Sequence, residues 1–186
     1  MDDIVLQAMR KWPHVPACYG WLGLDGRGQW WMRDDRTQQQ GTFQEAIRNN
    51  VSEAKGALLQ HDKLVAFIGR NYGHDEEGRW FFQNGPQRVY VELAYAPWVF
   101  RVQDNGEVHT HTHAVTVVKQ AISDELGHLY LDTPLGLGLV HTQDVGVACD
   151  FLSQWSCVER SAAELPSHFA YVRSPQHQHP ALLARV

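Results

Sequence analysis

The stretch that decides the fold is GRWFFQNGPQRVYVELAYAPWVFRV, residues 78–102. Two runs rich in β-branched and aromatic residues flank Asn84-Gly85, a dipeptide typical of a β-hairpin turn. Pro86 removes a backbone donor directly after Gly85, so we expect a loop longer than two residues. The two runs are 79–82 and 87–93, and a third strand is predicted over 98–102.

The same pattern returns later in the chain. GRWFF (78–82) aligns with GHLYL (127–131) at an offset of 49, and at that offset YV (90–91) falls on LV (139–140). A shorter echo, GQWWM, lies at 28–32. A duplicated supersecondary unit produces such an offset, and so does the general pattern of β-hairpins. Both explanations stay open at this point.

Helical signals separate these β-rich segments. Apolar residues recur at helical spacing over 3–12, after a cap at Asp2 or Asp3. Thr42 and Glu45 have the spacing of a capping box. Asp62 is predicted to cap a helix over 63–73. Residues 141–158 are expected to close with a further helix.

These segments predict an α+β protein with antiparallel β-sheets and packed helices. We expect two lobes, 1–102 and 103–186, that meet near 102–106, are related by a repeated hairpin-containing unit if the duplication holds, and can also count as one compact domain. The Pro-, Gln- and His-rich tail from about residue 174 is expected to be loosely held.

Composition excludes several classes of function. The net charge is −5, and Arg10-Lys11 is the one adjacent basic pair among sixteen lysines and arginines, so no basic stripe for nucleic acid is visible. The chain shows neither a signal-peptide pattern nor a run of about eighteen apolar residues, so no membrane partner is expected. Cys18, Cys149 and Cys157 form no CxxC pair, which favours reduced core thiols and a cytoplasmic location.

The run VHTHTHAV (108–115) places His109, His111 and His113 two residues apart. On a continuous strand the three side chains would share one face, about 6.5–7 Å apart. A half-exposed strand with neutral histidines explains the run without a metal. The alternative is a site for zinc or another divalent transition metal, completed by His128 or His141.

Polar side chains surround the predicted hairpin tip. Asn84 has an ordinary use in the turn. Gln83, Gln87 and Arg88 are not required by a turn, and two amides with a guanidinium suit a carboxylate, a phosphate or a peptide backbone. The predicted ligand-binding residues are therefore Gln83, Asn84, Gln87 and Arg88.

At RNYGHDEEGRWFFQNGPQRVYVEL (70–93) the chain resembles an uncharacterised family of small bacterial cytoplasmic proteins, defined as a domain of unknown function. LDGRGQWWM (24–32), FIGRNY (67–72) and LYLDTPLGLGLVHTQD (129–144) extend the match over nearly the whole chain. More distantly, the chain is similar to a second uncharacterised α+β family with repeated motifs and a proposed role in signal transduction. Neither resemblance implies an activity or a catalytic residue.

Two hypotheses of function follow. No nucleophile elbow, P-loop, HExxH or calcium-loop motif is present, so no catalytic residue is assigned. The first hypothesis is a non-catalytic cytoplasmic binding or regulatory module for a small molecule, peptide or protein, with no cofactor. The second is a metal-assisted hydrolase or isomerase that uses the histidine run. The biochemical function itself is unknown from the sequence.

Overall fold

A computed structural model describes residues 1–178. The chain forms two compact units. The first comprises 1–25, 29–94 and the described residues from 172 onward, and the second comprises 26–28 and 95–171. We predicted a boundary between the two lobes at residue 102, which is the end of a strand. The boundary between the two compact units lies between residues 94 and 95.

The described residues fold into short helices and strands. In chain order these are α1 Asp3–Lys11, β1 Cys18–Leu24, β2 Trp30–Met32, α2 Asp35–Gln39, α3 Phe43–Arg48, α4 Ser52–Lys55, β3 Ala57–Leu58, α5 Asp62–Arg70, β4 Tyr72–His74, β5 Trp80–Asn84, β6 Gln87–Leu93, β7 Trp98–Val102, β8 Val108–Thr110, β9 Val115–Thr116, β10 Gln120–Ser123, β11 Leu129–Thr133, β12 Gly136–Val140, α6 Val145–Asp150, α7 Leu152–Trp155, β13 Cys157–Glu159, α8 Leu165–His168 and α9 Pro175–Gln178.

Each unit contains one mixed sheet. The first sheet has the strand order β3-β2-β1-β6-β5-β4, and the second has the order β13-β10-β11-β12-β7-β8-β9. Neighbouring strands pair antiparallel except β1 with β6, β7 with β12, and β10 with β13. The predicted α+β class with two sheet lobes is confirmed. The parallel pairs join strands that are far apart in sequence, and hairpin signals cannot predict such pairs.

The two units repeat one topology. Replacing β1 to β6 by β7 to β12 converts the first strand order into the second, apart from the extra edge strand β13. The β1–β2 pair Leu24 with Trp30 matches the β7–β8 pair Val102 with Val108, 78 residues later. Strands β11 and β12 follow β5 and β6 at the offset of 49 seen in the sequence.

A recurring turn explains the repeated glycine before an apolar run. Asp25, Asp75 and Asp124 each accept a hydrogen bond from the backbone N–H four residues later, at 2.9, 3.0 and 2.8 Å. The glycine that precedes this donor has φ of +75°, +73° and +80° in the three turns, a conformation that favours glycine. Burial raises the pKa of Asp75 and of Asp124, but the hydrogen bonds that each accepts bring both below their ordinary value.

Local predictions near the first sheet were right in part. The Thr42 hydroxyl accepts from the Glu45 N–H at 3.2 Å and donates to the Glu45 carboxylate at 2.7 Å, so the capping box is confirmed. Helix α5 is capped by the His61 side chain, and Asp62 is its first residue. The loop between β5 and β6 has two residues, Gly85 and Pro86, because Asn84 pairs with Gln87. The prediction of a longer loop was wrong. Pro86 occupies the second loop position, where no backbone N–H is needed for the ladder, and Gly85 at the first position has φ of +57°.

The core holds most of the aromatic residues of these sheets, and Trp80 and Trp98 are among the buried ones. Cys149 and Cys157 are free and exposed instead of lying in the core. None of the helices within residues 1–178 has the length and apolar character needed to cross a membrane.

The start of the predicted loose tail is held on the first sheet. Glu92 is 1% exposed, and its carboxylate accepts hydrogen bonds from the Ser174 hydroxyl and from the Gln176 N–H at 3.1 Å. The Gln44 amide donates to the same carboxylate at 3.3 Å. Residues 174–178 are therefore tied to β6, and the rest of the predicted tail, 179–186, lies outside the described residues.

Candidate ligand-binding site

A cleft of about 360 Å³ lies in the first unit, between the end of α1 with the segment after it and the β5–β6 hairpin. Helix α1 ends at Lys11 because Pro13 follows, and the extended chain then runs back to β1. The hairpin supplies the polar wall. The lining residues are Met9, Trp12, Pro13, Val15, Ala17, Gln83, Pro86 and Arg88.

Gln83 is the most constrained polar residue of the cleft. It is 1% exposed, and its backbone N–H donates to the Asn71 carbonyl at 2.9 Å. Its side-chain Nε2 donates to the Gly85 carbonyl at 2.9 Å, and this bond fixes which end of the amide is the oxygen. The Oε1 atom is buried and has no hydrogen-bond partner among the described residues. Buried polar atoms normally have partners, so this acceptor requires an explanation.

Arg88 lies directly opposite Gln83 in the ladder of β5 and β6. Its guanidinium carbon is 4.7 Å from the centre of the Phe81 ring, so the side chain rests on an aromatic face. The Arg88 side chain also hydrogen-bonds to Tyr90, which acts against the rise in the pKa of Tyr90 that burial causes. None of the ion pairs within residues 1–178 involves Arg88. The guanidinium is thus placed by Phe81 and Tyr90, and no carboxylate of the described residues neutralises its charge.

The opposite wall of the cleft is apolar. Trp12 is 51% exposed, which is unusual for so large an apolar side chain, and the Lys11 ammonium lies 4.5 Å from the centre of its ring. Met9 comes from the same face of α1, and Pro13 and Val15 continue the wall. No local sequence pattern predicts these residues, because the contact between α1 and the hairpin joins segments about seventy residues apart in sequence.

The structure separates the four predicted binding residues into two groups. Gln83 and Arg88 line the cleft, whereas Asn84 and Gln87 do not. Asn84 is exposed at the end of β5 with negative φ, and Gly85 takes the left-handed conformation of the turn. The Gln87 amide donates to the Pro16 carbonyl at 3.0 Å and so fastens the segment after α1 to the hairpin.

The second unit offers a comparison for this hairpin. At the offset of 49, Gln83 corresponds to Asp132 and Arg88 to Leu137. The β11–β12 hairpin also has a two-residue loop, because Thr133 pairs with Gly136. The hairpin therefore forms without a buried amide and a guanidinium at these positions, and Gln83 and Arg88 are not explained by the turn.

The histidine run does not form one strand. His109 lies on β8, but the chain turns at 111–114 and returns as β9. The Thr110 hydroxyl causes the turn, since it accepts the backbone N–H groups of Thr112 and Ala114 at 3.3 and 3.0 Å. His113 takes φ of +69° in this turn. The expectation of three histidines on one strand face was wrong, because alternation predicted a strand where a threonine side chain captures the backbone.

These three histidines line a second cleft of about 360 Å³, within the second unit, together with Arg27 and Arg101. His109 Nε2 is 2.5 Å from the Glu107 carboxylate. His111 Nδ1 accepts the Val99 N–H at 3.3 Å, and burial, with a smaller effect of His113, lowers the pKa of His111 to about 3.

The other two histidines of the metal alternative have separate environments. His128 Nδ1 is 2.9 Å from the Asp124 carboxylate, and His141 Nδ1 accepts the Gln143 N–H at 3.2 Å. In the described part of the chain, no three His, Cys, Asp or Glu side chains are grouped so that they could hold a metal ion. The zinc alternative therefore gains no support from this geometry and stays a prediction.

Residues 1–185 match the family DUF2944, whose description reads "Protein of unknown function (DUF2946)". The chain belongs to this family. The expected membership of an uncharacterised family is confirmed, and DUF2944 brings no assigned activity. No curated protein matches the chain. A solved structure, that of a DUF1285 family protein from Silicibacter pomeroyi DSS-3, is similar with 13% identity and a TM-score of 0.46, over 81% of this chain and 85% of that one.

Proposed function

We propose that this DUF2944 protein is a non-catalytic binding module that holds a small molecule or peptide in the cleft between α1 and the β5–β6 hairpin. The observation that carries the proposal is the buried Gln83 Oε1, which has no partner among the described residues, next to Arg88, which forms no ion pair among them. Without a ligand, the Gln83 Oε1 atom contributes no hydrogen bond within the described residues, and the Arg88 charge forms no ion pair there.

The energetic argument supports a ligand over a purely structural role. An unsatisfied buried acceptor costs about 1–3 kcal/mol. The second unit avoids this cost, because the position matching Arg88 is the buried Leu137 and the carboxylate of Asp132, which matches Gln83, is 3.7 Å from the Lys119 ammonium. A ligand that donates to Gln83 and accepts from Arg88 would remove the cost in the first unit.

The proposed setting is the cytoplasm, in a regulatory role like the one in signal transduction that has been proposed for the second, uncharacterised family that the chain distantly resembles. Three free cysteines fit a reducing compartment. The net charge of −5 does not favour nucleic acid or anionic membrane surfaces as partners. The proposed partner is therefore a small molecule, a peptide or a protein segment.

The experiment is a ligand-detected and protein-detected NMR screen of the full chain with a few hundred fragments of varied charge. At 21.2 kDa the protein gives resolved amide spectra. We expect hits to shift the side-chain amide of Gln83 and the indole N–H of Trp12. Hits that shift the second cleft instead, or no hits at all, would contradict the proposal.

Matched variants define the site further. Arg88→Leu and Gln83→Met should each weaken binding at least tenfold, and Gln87→Ala should weaken binding less, by releasing the segment after α1. Arg27→Ala is the control, because Arg27 is an exposed arginine that lines the other cleft of the same volume. Equal loss of binding in Arg27→Ala and Arg88→Leu would show that the effect is not local to the hairpin cleft.

A further inference from the structure

We infer that the ligand of the hairpin cleft presents an N–H, a neighbouring carboxylate and an apolar side chain, as the last residue of a peptide or an N-acyl amino acid does. This inference rests on the proposed function and names its ligand class. Three features of the cleft each select one of these groups.

Gln83 selects the N–H. Its Nε2 is already used by the Gly85 carbonyl, so the free end of the amide is Oε1, which only accepts. A ligand atom that fills this position must therefore donate a proton. An amide N–H does so at neutral pH without carrying a charge into a buried place, whereas an ammonium would need a counter-ion there.

Arg88 selects the carboxylate. It is the one cation among the residues that line the cleft. A single guanidinium matches a carboxylate through two parallel hydrogen bonds, whereas a phosphate brings more charge and more acceptor atoms than one arginine satisfies. The guanidinium rests on Phe81 and hydrogen-bonds to Tyr90, and its five N–H donors leave others for such a pair.

The spacing of the two groups joins them into one ligand fragment. Gln83 and Arg88 are opposite residues on neighbouring strands, where Cβ atoms lie about 4.5–5.5 Å apart. In a C-terminal residue, the amide N–H and the carboxylate are attached to the same Cα. One such residue can meet both side chains, and its own side chain then has to go elsewhere.

The apolar wall receives that side chain. Six of the eight lining residues are apolar or proline, and Trp12 exposes half of its surface there. The volume of about 360 Å³ is near the lower end of the range of about 300–1,000 Å³ for small-molecule sites, which suits one or two residues. Since Oε1 is buried, the ligand must displace part of this wall, and Met9 is the most adaptable lining side chain.

The test measures dissociation constants for four probes by NMR titration of the full-length wild-type chain. The probes are N-acetyl-L-leucine, its N-methylated form, its C-terminal amide, and N-acetylglycine. We expect N-acetyl-L-leucine to bind in the cleft. Loss of the N–H, of the carboxylate or of the side chain should each weaken binding at least tenfold.

Two variants assign each loss to its residue. In Gln83→Met, N-methylation of the probe should no longer weaken binding, and in Arg88→Leu, amidation should no longer weaken it. A water molecule that permanently satisfies Gln83 would leave the N-methylated probe as tight as the parent in the wild type, and that result overturns the inference. The wild-type probe series decides the matter even where a variant fails to fold.

The failure of the ligand class is distinguishable from the failure of the site. If other fragments shift Gln83 and Trp12 but N-acetyl-L-leucine does not, the ligand class is wrong and the binding site stands. Tighter binding of inorganic phosphate than of N-acetyl-L-leucine, abolished by Arg88→Leu, also rejects the carboxylate. If neither fragments nor probes bind in the cleft, both proposals are wrong.

Discussion

At the residue after β2 the first unit carries Arg33, and at the matching position after β8 the second unit carries His111. The backbone is the same at both places: the Arg33 N–H donates to the Trp21 carbonyl at 2.9 Å, and the His111 N–H donates to the Val99 carbonyl at 2.7 Å. The side chains differ in their partners. Arg33 donates to the carbonyls of Gly41 and Ala54, in the helical segment inserted after β2, whereas His111 accepts a hydrogen bond from Val99, within its own sheet.

This difference shows how one strand topology serves two units with different insertions. The first unit inserts α2, α3 and α4 between β2 and β3, and the second has a short turn there. A buried arginine has several N–H donors and can hold an inserted segment by hydrogen-bonding to the backbone carbonyls of that segment. At the matching position of the second unit, where nothing is inserted, the chain carries a histidine. The two units therefore share the arrangement of their strands. The side chain at the end of the strand differs because the segment that comes after it differs.

The largest expected effect on stability is that of replacing Arg33. Arg33→Leu leaves the Gly41 and Ala54 carbonyls without their donor inside the protein, so the free energy of unfolding should fall by about 3–5 kcal/mol. Burial lowers the pKa of Arg33, and the charge of Glu92 opposes this shift. Urea unfolding at pH 7, followed by circular dichroism, measures the loss.

His111→Leu is the matched control. It removes one acceptor, for the Val99 N–H, and should cost about 1 kcal/mol. Similar losses for the two variants would mean that Arg33 does not fasten the insertion, and the comparison of the two strand ends would fail.

How far the sequence predicted the fold depends on the range of the contacts. The hairpins, the capping box at Thr42 and the offset of 49 were visible because each depends on neighbours within a few residues or on direct repetition. The parallel pairs of β1 with β6 and of β7 with β12 were not visible, since they join segments that no local pattern relates. The turn at Thr110 was missed because one hydroxyl overrode an alternating pattern.

The candidate site divides in the same way. Gln83 and Arg88 were found because their residue types exceeded what a turn requires, and this signal is local. Trp12 and Met9 gave no signal, because their contribution depends on where α1 packs. The Gln83 acceptor itself became visible only through its burial and through the bond from Nε2 to Gly85.

A smaller effect on stability is expected at Glu92, whose matching position in the second unit is His141. Burial raises the pKa of Glu92, against the hydrogen bonds from Ser174, Gln176 and Gln44 that lower it. A carboxyl with a raised pKa in the folded state stabilises the protein fully below its unfolded pKa, near 4.5, and this contribution is lost as the pH rises through the folded pKa. Relative to Glu92→Gln, the wild type should therefore lose stability as the pH rises from 4 to 8.

Unfolding free energies of both proteins across this range give the difference curve. Glu45→Gln is the control, because the hydrogen bond from the Thr42 hydroxyl lowers the pKa of Glu45 and the difference curve should slope in the opposite direction. A flat curve for Glu92→Gln would show that the donors from the 174–178 segment fully compensate for burial.

The smallest expected effect on stability concerns Arg88, and it decides whether the two hairpins differ for the sake of a ligand. Arg88→Leu introduces the residue type found at the matching position, Leu137, where the second unit forms the same two-residue hairpin. The exposed guanidinium forms no ion pair among the described residues, and its contact with Phe81 is worth about 0.5–1 kcal/mol at an exposed site. Leucine recovers part of that contact, so the free energy of unfolding should change by about 0.5 kcal/mol or less. Binding of N-acetyl-L-leucine should weaken at least tenfold in the same variant. A loss of stability of about 2 kcal/mol or more would instead make Arg88 a structural residue, because a ligand-binding group can be removed from the free protein without loosening the fold.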